Sequence, residues 1–91
     1  MSKYFFKNLE TGNWETLVLR KDHAGRPGWY MVCLGDQKVG PPVIHSASGG
    51  WSTIPWKRKR GRALGRFRTR YDAAVYCLWA DGVIEEDYSL M

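Results

Sequence analysis

Apolar and polar residues alternate in short runs through the first third of the chain. A long stretch broken by glycine and proline follows, then a cationic run, and then one segment with helical spacing. Tyr4-Phe5-Phe6-Lys7-Asn8-Leu9 and Trp14-Glu15-Thr16-Leu17-Val18-Leu19-Arg20 have the aromatic and β-branched content of strands, and Glu10-Thr11-Gly12-Asn13 between them has the composition of a hairpin turn. In the second run Trp14, Thr16 and Val18 share one face, while Glu15, Leu17 and Leu19 share the other. The period of two leaves either face as the buried one. His23 to Gly28, with two glycines and a proline, reads as a loop, and Trp29 to Leu34 reads as a third strand. Gly35 to Gly40 then turns the chain into a short return strand or a loop. Residues 40–62 contain Pro41, Pro42, Pro55 and adjacent glycines, and read as a long loop with a basic end.

The helical segment carries its own punctuation. Thr69 and Asp72 have the spacing of a capping box, and Tyr71, Ala74, Val75, Leu78 and Trp79 recur at intervals of three and four. Gly82 stands where helices commonly stop. A helix from Arg70 to Asp81 results, about 18 Å long at the standard rise. Ala63 to Phe67 before it supports a last short strand ending at Thr69, and residues 83–91 form an acidic tail that is a short strand or a frayed end. The expected fold is α+β: a three- or four-stranded antiparallel sheet packed against one C-terminal helix, in a single small domain spanning residues 1–91. One face of such a sheet stays open unless the long loop, a partner or a second copy of the chain in a homodimer covers it.

Composition narrows the class. At 91 residues, 44% hydrophobic and 25% charged, the chain has the make-up of one folded domain and little room for an enclosed substrate cavity. No run approaches the roughly 20 apolar residues of a membrane span, and Met1-Ser2-Lys3-Tyr4 lacks the pattern of a signal peptide. Cys33 and Cys77 lie in apolar runs without a CxxC pair, as buried thiols do in a reducing compartment. A cytoplasmic, non-membrane protein is expected.

Charge is unevenly placed. Residues 57–70 hold eight basic and no acidic side chains, and residues 72–91 hold five acidic and no basic ones. Lys57, Arg58, Lys59, Arg60, Arg62, Arg66, Arg68 and Arg70 repel one another unless they face solvent, the tail or a polyanion. Against phosphates such a run supplies affinity through counterion release, and a nearby Trp56 can stack on a base. In extended backbone Arg66, Arg68 and Arg70 would point the same way and form a ladder of cations.

No constellation points to catalysis. His23 and His45 lack ligand spacing to each other or to the cysteines, so no metal or cofactor is expected. His45 adjoins Ser46, Ser48 and Ser52 in sequence without an orienting carboxylate, and Gly61 to Arg66 is not a phosphate-cradling glycine loop. The chain is therefore read as a non-enzymatic accessory or regulatory protein that binds nucleic acid, DNA foremost. The alternative is a module or inhibitor, of the kind phages and mobile elements encode, that docks on a larger protein through Trp51 and Trp56.

Leu64-Gly65-Arg66-Phe67-Arg68-Thr69-Arg70-Tyr71-Asp72-Ala73-Ala74 resembles the end of the AP2/integrase-type DNA-binding domain, where a strand carrying Leu-Gly-x-Phe runs into a helix with paired alanines. The resemblance implies structural roles for Leu64, Gly65, Phe67, Ala73 and Ala74. It implies a three-stranded sheet in the major groove, with Arg26, Trp29 and Lys38 as candidates for the groove face. The span from Gly40 to Arg62 is longer than that family's hairpin turns, and its alternating Arg and Trp pattern is not reproduced around Trp29 to Val32.

Overall fold

The computed structural model describes residues 4–21, 27–46, 49–53 and 66–85. Five strands, β1 (Phe5–Lys7), β2 (Trp14–Lys21), β3 (Trp29–Leu34), β4 (Gln37–His45) and β5 (Trp51–Thr53), precede one helix, α1 (Arg70–Ala80). Every neighbouring pair is antiparallel and the spatial order is β1-β2-β3-β4-β5, so the sheet is a meander curled into a half-barrel around the helix. The expectation of three or four strands is thereby corrected to five.

The extra strands come from the segment read as a long loop. Pro41 and Pro42 looked like breakers because proline donates no ladder hydrogen bond. In β4 they fall where the register against β3 shifts, between Tyr30↔Val43 and Val32↔Gly40, and a second shift follows at once between Val32↔Gly40 and Cys33↔Lys38. Both shifts put additional residues on β4, which bends the strand and relieves the prolines of donating. A strand interrupted in this way curls the sheet. β5 has three residues, too few for a period of two to be visible, and is held by Val43↔Thr53, Ile44↔Ser52 and His45↔Trp51. Phe67 closes its far edge through an isolated bridge in which the Trp51 N–H donates to the Phe67 carbonyl at 2.9 Å and the Phe67 N–H donates back at 2.8 Å. Residues 54–62 of the expected loop, and the expected strand residues Ala63 to Gly65, lie outside the described residues.

The hairpin of β1 and β2 resolves the ambiguity of faces. Leu17 is buried with Phe6 in the core, and Phe5, Lys7, Trp14 and Thr16 are exposed on the convex side. Asn8 builds the turn. Its Oδ1 accepts from the Glu10 N–H at 2.9 Å, its carbonyl accepts from Gly12 at 2.7 Å, and its Nδ2 donates to Glu15 Oε2 at 3.3 Å. An asparagine side chain that mimics a backbone turn explains a buried polar residue at this corner.

Thr69 caps α1, its hydroxyl accepting from the Asp72 N–H at 3.1 Å. Gly82, at φ 78°, ends the helix: its N–H donates to Trp79 O at 3.0 Å, and Val83 N–H donates to Leu78 O at 2.8 Å. These are the two bonds of a Schellman motif, which needs a left-handed residue at this position. The expected single apolar stripe is exceeded, since Ala73 through Ala80 are all buried. AAVYCLWA contains no charged residue, and a helix apolar on every side belongs inside a core. Its contacts with the sheet run along β4 and β5, and Gly40 lets it come close, a Cβ there lying 3.7 Å from Leu78 Cδ2. Cys33 and Cys77 are free and buried. No described helix is long and apolar enough to cross a membrane.

Candidate functional site

Two surfaces stand out. The first is the convex side of the hairpin. Lys7 pairs with Trp14 and Phe5 with Thr16, so the Phe5 and Trp14 side chains are diagonal neighbours across the two strands. Their rings stack with centroids 5.7 Å apart and planes inclined by 23°. Both are outward-facing, and Trp14 at 57% and Phe5 at 42% exposure are, with Leu9 at the turn, the large apolar side chains most open to solvent among the described residues. Stacking makes the pair a preformed aromatic plate, because each ring limits the other's rotamers.

The second surface is the mouth of the half-barrel at the start of α1. The Arg70 guanidinium carbon lies 4.7 Å from the centroid of Tyr30 and 5.9 Å from that of Tyr71. Tyr71 stacks on Tyr4 at 4.6 Å, and Trp51 meets Tyr30 edge-on at 5.7 Å and His45 at 4.8 Å. Lys21 pairs with Tyr30 across β2 and β3 and shares its face. Arg70 Nε is buried and makes no hydrogen bond among the described residues.

The expected site residues are distributed accordingly. Arg66 and Arg68 are exposed on either side of Phe67, whose ring packs towards Tyr76 at 5.3 Å. Arg70 is not a third rung of that ladder, because the helix begins there and its side chain is laid over Tyr30. Trp51 is half-buried in β5 against the core, so it is a packing residue more than a free anchor. Lys57, Arg58, Lys59, Arg60, Arg62 and Trp56 lie outside the described residues, as does Arg26. Trp29 is half-buried and Lys38 is exposed. Sequence reasoning passed over Trp14 and Phe5. The available signal was Thr16, a polar residue on the face of Trp14, set against Leu17 and Leu19 on the other.

Among the described residues no group of three His, Cys, Asp or Glu side chains is placed to hold a metal ion. Comparison with protein-family models, curated proteins and solved structures finds no match to this chain. The likeness of residues 64–74 to the AP2/integrase-type domain thus rests on those residues alone.

Proposed function

We propose that this protein is a small docking module that binds a larger protein through the aromatic plate of its first hairpin. The observation that carries this reading is the exposure of Trp14 stacked on Phe5. A large indole held open on a rigid strand, with its rotamer set by a neighbouring ring, is the kind of anchor that dominates protein interfaces. Its immediate surroundings suit that role: Lys7 and Glu10 supply a mixed-charge rim, and Leu9 extends the apolar area around the turn. The hairpin is also fixed from below by the Asn8 turn and by the Leu9 N–H donating to Val83 O at 2.8 Å, so little ordering remains to be done on binding. The occupant suggested by this chemistry is a protein surface with an apolar slot for one indole. The anchor position is Trp14; of the pair read from sequence, Trp51 is half-buried and Trp56 lies outside the described residues.

Cross-linking from a photoreactive residue at Lys7, followed by reconstitution with the purified cross-linked protein, tests the reading. Trp14→Ala is expected to weaken the reconstituted complex by about 30-fold, or ~2 kcal/mol, while leaving the thermal midpoint of the free chain nearly unchanged. Equal affinity for wild type and Trp14→Ala sinks the proposal, and so does cross-linking only to a second copy of this chain. DNA binding by the basic run rests on positions 57, 58, 59, 60, 62, 66, 68 and 70. Salt-dependent titration with labelled duplex is its separate test, with a steep loss of affinity as salt rises the expected sign.

A further inference from the structure

We propose that Arg70 is the receptor for a phosphate group at the mouth of the half-barrel. This site is distinct from the hairpin and does not depend on the docking reading. A guanidinium carries five N–H donors and is always charged. Here its central carbon lies 4.7 Å from the Tyr30 ring centroid, and its Nε is buried without a hydrogen-bond partner among the described residues. Contact with the rings of Tyr30 and Tyr71 restricts the side chain's rotamers, which lowers the cost of ordering it around an oxyanion.

Four further observations converge on the same place. Arg70 is the first residue of α1, and side chains on a helix tilt back towards its N-terminus. Thr69 takes the amide of Asp72 through its hydroxyl and that of Ala73 through its carbonyl, and among the described residues the amides of Arg70 and Tyr71 have no partner. A cation at this position opposes the helix dipole, so what the fold gains from arginine there is its contact with the Tyr30 and Tyr71 rings. Finally, the strands that line the mouth bring Lys21 beside Tyr30, and Asp72 is the one acidic residue of the first turn. Several donors and an excess of positive charge suit a multiply charged, multi-oxygen anion better than a single carboxylate. The group is either free phosphate or a phosphodiester within a nucleic-acid strand.

The test uses the whole chain with inorganic phosphate, a fluorescein-labelled single-stranded oligonucleotide and polyglutamate as probes. Anisotropy of the oligonucleotide at low salt, with phosphate and polyglutamate as competitors, is expected to show phosphate competing and polyglutamate failing. Arg70→Lys keeps the charge but loses the planar fork, and is expected to weaken phosphate binding about tenfold. An oligonucleotide bound far more tightly than inorganic phosphate, with the same loss in Arg70→Lys, identifies the strand as the source. Equal affinity per phosphate group identifies the free anion. Arg70→Gln separates binding from folding. Phosphate binding is expected to vanish while the thermal midpoint stays close to that of the wild type, the lost ring contacts being offset by removal of an opposed charge and an orphaned donor. Unchanged binding in Arg70→Lys, competition by polyglutamate equal to that by phosphate, or a lowered midpoint in Arg70→Gln each overturns the assignment. Trp14→Ala is expected to leave phosphate binding intact, so failure of the docking reading is told apart from failure of this one.

Discussion

The C-terminal end of α1 is finished and its N-terminal end is not. At the C-terminal end Gly82 and Val83 close the last turn with two hydrogen bonds, and Asp81 N–H donates to Cys77 O at 3.0 Å. The β1–β2 turn then docks on the same corner through Leu9 and the carbonyl of Val83. At the N-terminal end one threonine caps two amides, two others stay unpartnered among the described residues, and a guanidinium nitrogen is buried without an acceptor. The same helix therefore shows what the fold needs at one end and what it leaves available at the other. Groups that stability alone would have satisfied or replaced are the ones to examine for binding.

The contrast can be broken by substitution. Leu78 is fully buried at the closed end, and Leu78→Ala is expected to cost about 2–4 kcal/mol, read as a lower denaturant midpoint at unchanged slope. An unmoved midpoint would remove the core from that end of the helix. Asn8→Ala leaves the Glu10 N–H without its acceptor and Glu15 without its donor, an expected loss of about 1–3 kcal/mol in the same melt. Gly82→Ala forces a β-carbon into a left-handed conformation and is expected to cost about 1–2 kcal/mol. Thr69→Ala, at the open end, is expected to cost about 1 kcal/mol. Arg70→Gln anchors the bottom of the series, with no loss of midpoint. If it destabilises as much as Thr69→Ala, the two ends are built on the same principle and the comparison fails.

How much of this was legible in the sequence differs along the chain. The helix was, because its signals are local: Thr69 and Gly82 mark its ends as observed, within one residue at the C-terminus. β2 and β3 were, since long aromatic and β-branched runs need no tertiary context. β4 was hidden by its own prolines, whose reading as breakers holds for a regular ladder and lapses at a bulge. β5 was hidden by brevity. The exposure of Trp14 was hidden by averages, since tryptophan is usually drawn inward, and only the pairing of Leu17 with Leu34 across β2 and β3 decides which face of β2 meets the core. Arg70 was legible as a cation but not as a stacked one. Its place over Tyr30 depends on a strand 40 positions earlier in the chain.

The order of elements has a consequence for synthesis. All five strands pair with their sequence neighbours, so the sheet can form progressively as the chain emerges, with only short loops to close. The helix that fills its concave side is made afterwards. Between the end of β5 at Thr53 and the end of α1 at Ala80 the ribosome must add 27 residues, an interval of roughly 1–5 s at ordinary elongation rates. Until α1 packs against them, the inner faces of Leu17, Val32, Leu34 and Val43 have no helix to cover them, and the nascent half-barrel is an apolar trough awaiting a segment made after it.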